Sequence, residues 1–128
     1  MKIDCHSHCS VSSGRWPNCR KLVEEARLFG IDKVCCSSPL NTKPTDPEQI
    51  RAANDDTLKA MRAYPEVILG QCFIDPGHVK FAQDEITRCV VDGGMIGLKF
   101  YHQYRMDDPV FYPIIERCIE LGIPMLMH

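Results

Sequence analysis

No stretch of this 128-residue sequence is apolar for long enough to span a membrane, and its start, Met1-Lys2-Ile3-Asp4-Cys5-His6, carries no apolar signal segment. The expectation is a cytoplasmic chain with no membrane association. Basic residues are not in excess: 15 Lys and Arg stand against 17 Asp and Glu, for a formal net charge of −2, and no basic run occurs. That balance argues against a nucleic-acid partner and leaves a small molecule as the expected substrate. None of the eight cysteines forms a Cys-x-x-Cys pair, which removes the zinc-ribbon reading. Without a secretory signal a disulfide framework also falls away, and the thiols are expected to be reduced. Cys35, Cys36, Cys72, Cys89 and Cys118 sit in apolar segments and read as small buried hydrophobes. No internal repeat, low-complexity stretch or linker divides the sequence, so residues 1–128 read as one domain or part of one.

What is present is an alternation. Five short apolar runs, at 2–5, 33–37, 67–74, 95–100 and 124–127, recur about every 30 residues, the length of a βα unit. Several lack polar alternation, which favours parallel strands covered by helices. Between them lie four helical patterns. The first covers 19–29, with Leu22, Val23, Ala26 and Phe29 on one face and Gly30 beyond its end. Asp46 caps the second, Pro47 fits its first turn, and Tyr64-Pro65 ends it. A third runs over 79–91 to Gly93-Gly94. The fourth repeats the logic of the second, with Asp108 as cap, Pro109 in the first turn and Gly122 past the end. Strand-to-helix loops are long and helix-to-strand turns short, so the long loops gather at the carboxyl ends of the strands. That is the face where (βα)₈ barrels place their active sites.

Three histidines fall on that face. Side chains two apart on a strand point the same way, so His6 and His8 share one space and can share one metal ion. His128, at the tip of the fifth apolar run, can supply a third nitrogen. A divalent metal on two or three imidazoles keeps a position open for water, and zinc in such a site lowers the pKa of that water to about 7. An isolated His-x-His is a weak signal; its place at the tip of the first strand strengthens it. Lys99 either points into the barrel, where it should meet a carboxylate, a substrate anion or, if carbamylated, a metal, or sends its stem to the rim. Tyr101, His102 and Tyr104 follow in the same loop as candidate substrate contacts. Asp4 is placed to orient a histidine ring by a hydrogen bond, Cys9 to offer a thiolate, and His78 reads as a loop residue without a role. Arg15, Arg20 and Lys21 read as scattered surface cations.

The sequence resembles the amidohydrolase superfamily. The likeness is carried by Ile3-Asp4-x-His6-x-His8, Ala53-Asn54-Asp55, Tyr64-Pro65, Phe73-Ile74-Asp75-Pro76, Gly97-Leu98-Lys99 and Leu121-Gly122-Ile123-Pro124-Met125-Leu126-Met127-His128. It is closer to the amidohydrolase-related branch of metal-dependent hydrolases and decarboxylases. The resemblance implies an α/β chain forming part of a (βα)₈ TIM-type barrel, about four βα units plus a fifth strand, with a zinc or similar divalent ion held by His6, His8 and His128. It implies hydrolysis of a C–N or C–O bond by a metal-activated water, or alternatively metal-dependent decarboxylation. Lys99 matches a strand-four lysine that some branches carbamylate. The family also uses a strand-six His and a strand-eight Asp, which this sequence does not reach. The expectation is therefore the N-terminal half of a longer chain, a half barrel completed by self-association or by a complementary polypeptide, or a non-catalytic remnant. A flavodoxin-like open sheet also fits the alternation, but no glycine-rich loop follows the first strand and the histidines go unexplained.

Overall fold

The computed structural model describes residues 1–12 and 16–128. The apolar runs become five strands that pair in chain order, every neighbour parallel: β1 (Ile3–His8), β2 (Lys33–Ser37), β3 (Ile68–Phe73), β4 (Gly97–Phe100) and β5 (Met125–Met127). Between them run α1 (Cys19–Leu28), α2 (Pro47–Ala63), α3 (Val79–Ile86) and α4 (Tyr112–Leu121). The sheet curls into half of a (βα)₈ barrel.

The helix boundaries follow their capping chemistry. Asn18 accepts from the Arg20 N–H and Asp46 from the Glu48 N–H, each satisfying an orphan donor of a first turn. Gly30 and Gly122 take φ of 65° and 63°, the left-handed conformation a side chain resists, and so reverse the chain into the next strand. Two helices depart from the sequence reading. Asp108 caps a short 3₁₀ turn, Pro109–Phe111, which leads into α4. The third pattern is α-helical only to Ile86; Thr87–Asp92 winds as a π-helix, beginning where the Thr87 hydroxyl donates to the Gln83 carbonyl at 3.1 Å.

Alternation along the strands separates two environments. Val34, Cys36 and Ile68 pack with Val23, Ala26 and Ala60 beneath α1 and α2. Cys72, Leu98 and Phe100 pack with Ile86, Ile114 and Cys118 beneath α3 and α4. The five cysteines expected in the core are all buried, and all eight thiols are free. The opposite face, carrying Cys35, Ser37, Gln71, Phe73 and Lys99, is the concave interior. These five are buried too.

At β1 the register changes in a way that matters for the site. Asp4 pairs with Val34 but Ser7 with Cys36, so three steps on β1 oppose two on β2 and a bulge sits at Cys5 and His6. Asp4 therefore aligns with a helix-facing position, whereas His8 aligns with the inward Ser37.

Candidate metal centre

β1 delivers two imidazoles to the concave face, with ring centroids 5.1 Å apart and planes nearly perpendicular. The His8 ring donates from Nδ1 to the Ser37 carbonyl at 3.0 Å, with the Ser37 hydroxyl 3.4 Å away. That bond fixes the tautomer and leaves the Nε2 lone pair free, the arrangement found where a histidine ligates a metal. Trp16 lies against the same ring, 4.3 Å between centroids. Burial lowers the His8 pKa, and the charges of His6, Lys99 and His128 push it the same way against the opposing Ser37 bond. Burial also lowers that of His6, followed by Lys99 and His128, with Asp4 opposing. Both rings are therefore neutral donors at pH 7.

Lys99 points inward and is fully buried, resolving the choice between interior and rim. Its partner is not the carboxylate expected of a buried lysine: Nζ stands 3.0 Å from His6 Nε2. Burial lowers the Lys99 pKa. The lone pair that His6 turns inward is thus met by an amine at the place where a cation would meet it.

β5 brings up the third imidazole. The His128 N–H donates to the Phe100 carbonyl at 3.2 Å, continuing the β4–β5 ladder. Its ring packs 4.1 Å from that of Tyr101, with His102 at 6.1 Å. Imidazoles are donors that suit a divalent ion, and His6 and His8 lie side by side on one face. Among the described residues, however, no three His, Cys, Asp or Glu side chains are gathered into a finished metal-holding group. His6 and His8 share one face of β1, and His128 stands apart at the tip of β5.

Other sequence expectations fall elsewhere. Asp4 accepts from the backbone N–H of His6 at 3.0 Å and orients no ring, because the bulge takes it off the histidine face. Cys9 is buried and its thiol hydrogen-bonds that of Cys36, so it is not presented to the site. His78 does have a role: Nε2 donates to the Thr45 carbonyl at 2.9 Å, tying two loops together. Arg20 and Lys21 form exposed ion pairs one helical turn apart with Glu24 and Glu25, and Arg15 lies outside the described residues. The sequence reading missed Ser37, whose carbonyl sets the His8 tautomer, and Gln71, whose buried Oε1 has no hydrogen-bond partner among the described residues. A main-chain carbonyl leaves no sequence signal; a Gln inside an apolar strand does.

Comparison with known proteins gives this arrangement a context. Residues 3–128 match the amidohydrolase family. A 2-amino-3-carboxymuconate-6-semialdehyde decarboxylase from Dictyostelium discoideum is 24% identical, matched across 100% of this chain and 38% of its own. A 4-oxalomesaconate hydratase from Rhodopseudomonas palustris superposes with a TM-score of 0.79 at 17% identity, covering 100% of this chain and 52% of the hydratase. A 5-carboxyvanillate decarboxylase from Novosphingobium aromaticivorans, solved with manganese and 4-hydroxy-3-methoxy-5-nitrobenzoic acid, gives 0.72 at 22% identity over 84% of this chain and 33% of its own. The chain thus spans about half the length of these relatives, or less. Among the described residues no helix is long and apolar enough to cross a membrane.

Proposed function

We propose, from the premise that this chain belongs to the amidohydrolase family, that it forms the N-terminal half of a divalent-metal-dependent enzyme that decarboxylates a small carboxylated molecule. The observation that carries the reading is the placing of His6 and His8 on one face of β1, with Lys99 Nζ 3.0 Å from His6 Nε2 and His128 at the tip of β5. The decarboxylases among the relatives support decarboxylation. Hydrolysis of a C–N or C–O bond is the second reading, favoured by the family's own description. A divalent ion bound here supplies a Lewis acid for a substrate oxygen or lowers the pKa of a water. The imidazole donors favour zinc, while manganese is the ion of the carboxyvanillate enzyme.

The chain's own residues divide the remaining work. His8 is held neutral and aimed by Ser37, so no proton has to leave it before it donates. Lys99 is the catalytic candidate: its Nζ–H bonds give it a proton or positive charge to offer where negative charge develops on the substrate. Tyr101 and His102 flank His128 at the mouth as substrate contacts. Eight free thiols support a reducing, cytoplasmic setting. The remaining strands of the barrel would come from further chain, a complementary half barrel or a second copy.

The test is metal analysis of the purified native protein, with product analysis on 2-hydroxybenzoates against amides, esters and lactones. About one divalent ion per chain, lost in His8→Ala, and carbon dioxide release abolished by chelation are expected. Cleavage of the amides, esters or lactones alone would select hydrolysis. Protein with no divalent metal, and turnover indifferent to chelation, would sink both.

A further inference from the structure

Beside His128 the loops after β2 and β4 border an open cleft of about 830 Å³, lined in part by Lys43, Tyr101, His102, Arg105, Asp107 and Asp108. Lys43 is exposed, yet it is pinned. Its Nζ donates to the Gln103 carbonyl at 2.6 Å and lies 4.9 Å from the centre of the Tyr104 ring. The buried Gln103 returns the tie: its Nε2 donates to the carbonyls of Leu40 and Thr42 at 2.9 and 3.3 Å, in the loop that carries Lys43. A lysine in water keeps its rotamer freedom, and fixing it costs entropy.

Among the cations of the lining, Lys43 is the one without a carboxylate partner. Arg105 is matched by Asp107 through two bonds of 2.9 Å, and Asp108 is engaged by the Val110 N–H. Among the described residues no carboxylate forms an ion pair with Lys43. The Gln103 carbonyl takes one of its three donors, so two remain. A pinned ammonium with two free donors and no direct ion pair, beside tyrosines and imidazoles and with Asp108 as the other unpaired charge of the lining, can receive an anion on a flat molecule.

The geometry points to Lys43 as the specificity-determining residue of a carboxylate subsite in the cleft bounded by the β2–α2 and β4–α4 loops, receiving an acid group of an aromatic or unsaturated substrate. The inference rests on the reading of this face as the active-site face. The carboxylate sits against Lys43 Nζ, and the planar body lies along Tyr101 and His102 toward His128.

Affinities of the native protein for 2-hydroxybenzoate and its uncharged analogue 2-hydroxybenzamide test this, measured by calorimetry after metal has been stripped so that Lys43 is read without the ion. The native protein is expected to prefer the acid by about five- to tenfold, Lys43→Met to bind the two equally, and Lys43→Arg to keep most of the preference. An unchanged preference in Lys43→Met, or none in the native protein, overturns the subsite. Metal uptake by the native protein is measured alongside. Protein that takes up no divalent ion but discriminates through Lys43 defeats the metal-dependent reading and upholds the subsite, while normal metal uptake without discrimination does the reverse.

Discussion

The imidazole of His8 receives opposing instructions: burial favours its neutral form, and the Ser37 carbonyl favours the proton on Nδ1. Burial wins for both His6 and His8, so each folded-state pKa lies below the 6.5 of the unfolded chain. The linkage has one sign. Well above pH 6.5 neither state is protonated at these rings and the native state is undisturbed; as pH falls through 6.5 toward the lowered folded-state values, the unfolded chain takes up protons first and stability is lost. Metal affinity should fall over the same window, because protonation removes the donor lone pair. Urea unfolding and metal titration at pH 7.5, 6 and 5 would show both declining together. A His8→Ala variant whose stability still fell as steeply would assign the effect to other groups. Lys99 teaches a related lesson, since burial placed it beside an imidazole where a carboxylate was the simpler expectation.

At the scale of elements, the end of β3 shows how a helix holds a strand once its neighbour has turned away. β2 ends at Ser37, and beyond it the backbone of Phe73 is met by the Asn54 amide of α2: Oδ1 accepts from the Phe73 N–H at 2.8 Å and Nδ2 donates to the Phe73 carbonyl at 3.0 Å. Nδ2 also donates to the buried Glu85, which Arg88 grips at 2.6 and 3.0 Å and Arg51 approaches at 3.4 Å. Burial alone would raise the Glu85 pKa, but the bonds from Arg88 and Asn54 outweigh it and hold the carboxyl below its ordinary range. Phe73 is the register partner of Lys99, so this network anchors the strand beside the site. Asn54→Ala leaves buried polar groups of Phe73 and Glu85 short of partners and should cost about 2–4 kcal/mol. Asn54→Asp should cost more, by setting a second carboxylate against Glu85. Denaturant melts of the two variants check the order, and a loss under about 0.5 kcal/mol for both would deny the network its anchoring role.

For the molecule as a whole, the open sheet sets the problem. β1 and β5 each pair on one side only, Ile3 and Cys5 of β1 are exposed, and β5 is half-buried throughout. Unpaired edges of this kind recruit other strands. Residues 1–128 prepared by themselves are expected to run heavier than 14.6 kDa as the open edges pair between copies. Light scattering on a sizing column reads the mass; a stable 14.6 kDa species with protected edge amides would show that the half barrel stands alone.

The sequence by itself determined the five-strand, four-helix alternation, the caps at Asp46 and Asp108, the glycine stops, and the placing of His6, His8 and His128 at strand tips, because periodicity, capping and turn chemistry are local. Its likeness to the amidohydrolases was legible too, spread in order along the chain. Only the tertiary structure decided that a bulge would split Asp4 from the histidine face, that Lys99 would meet His6 across the concave interior, and that Gln103 would fasten Lys43 beside the cleft. Each of these depends on register or on residues some 60 or 90 positions apart, where sheet curvature, not local propensity, sets which side chains meet.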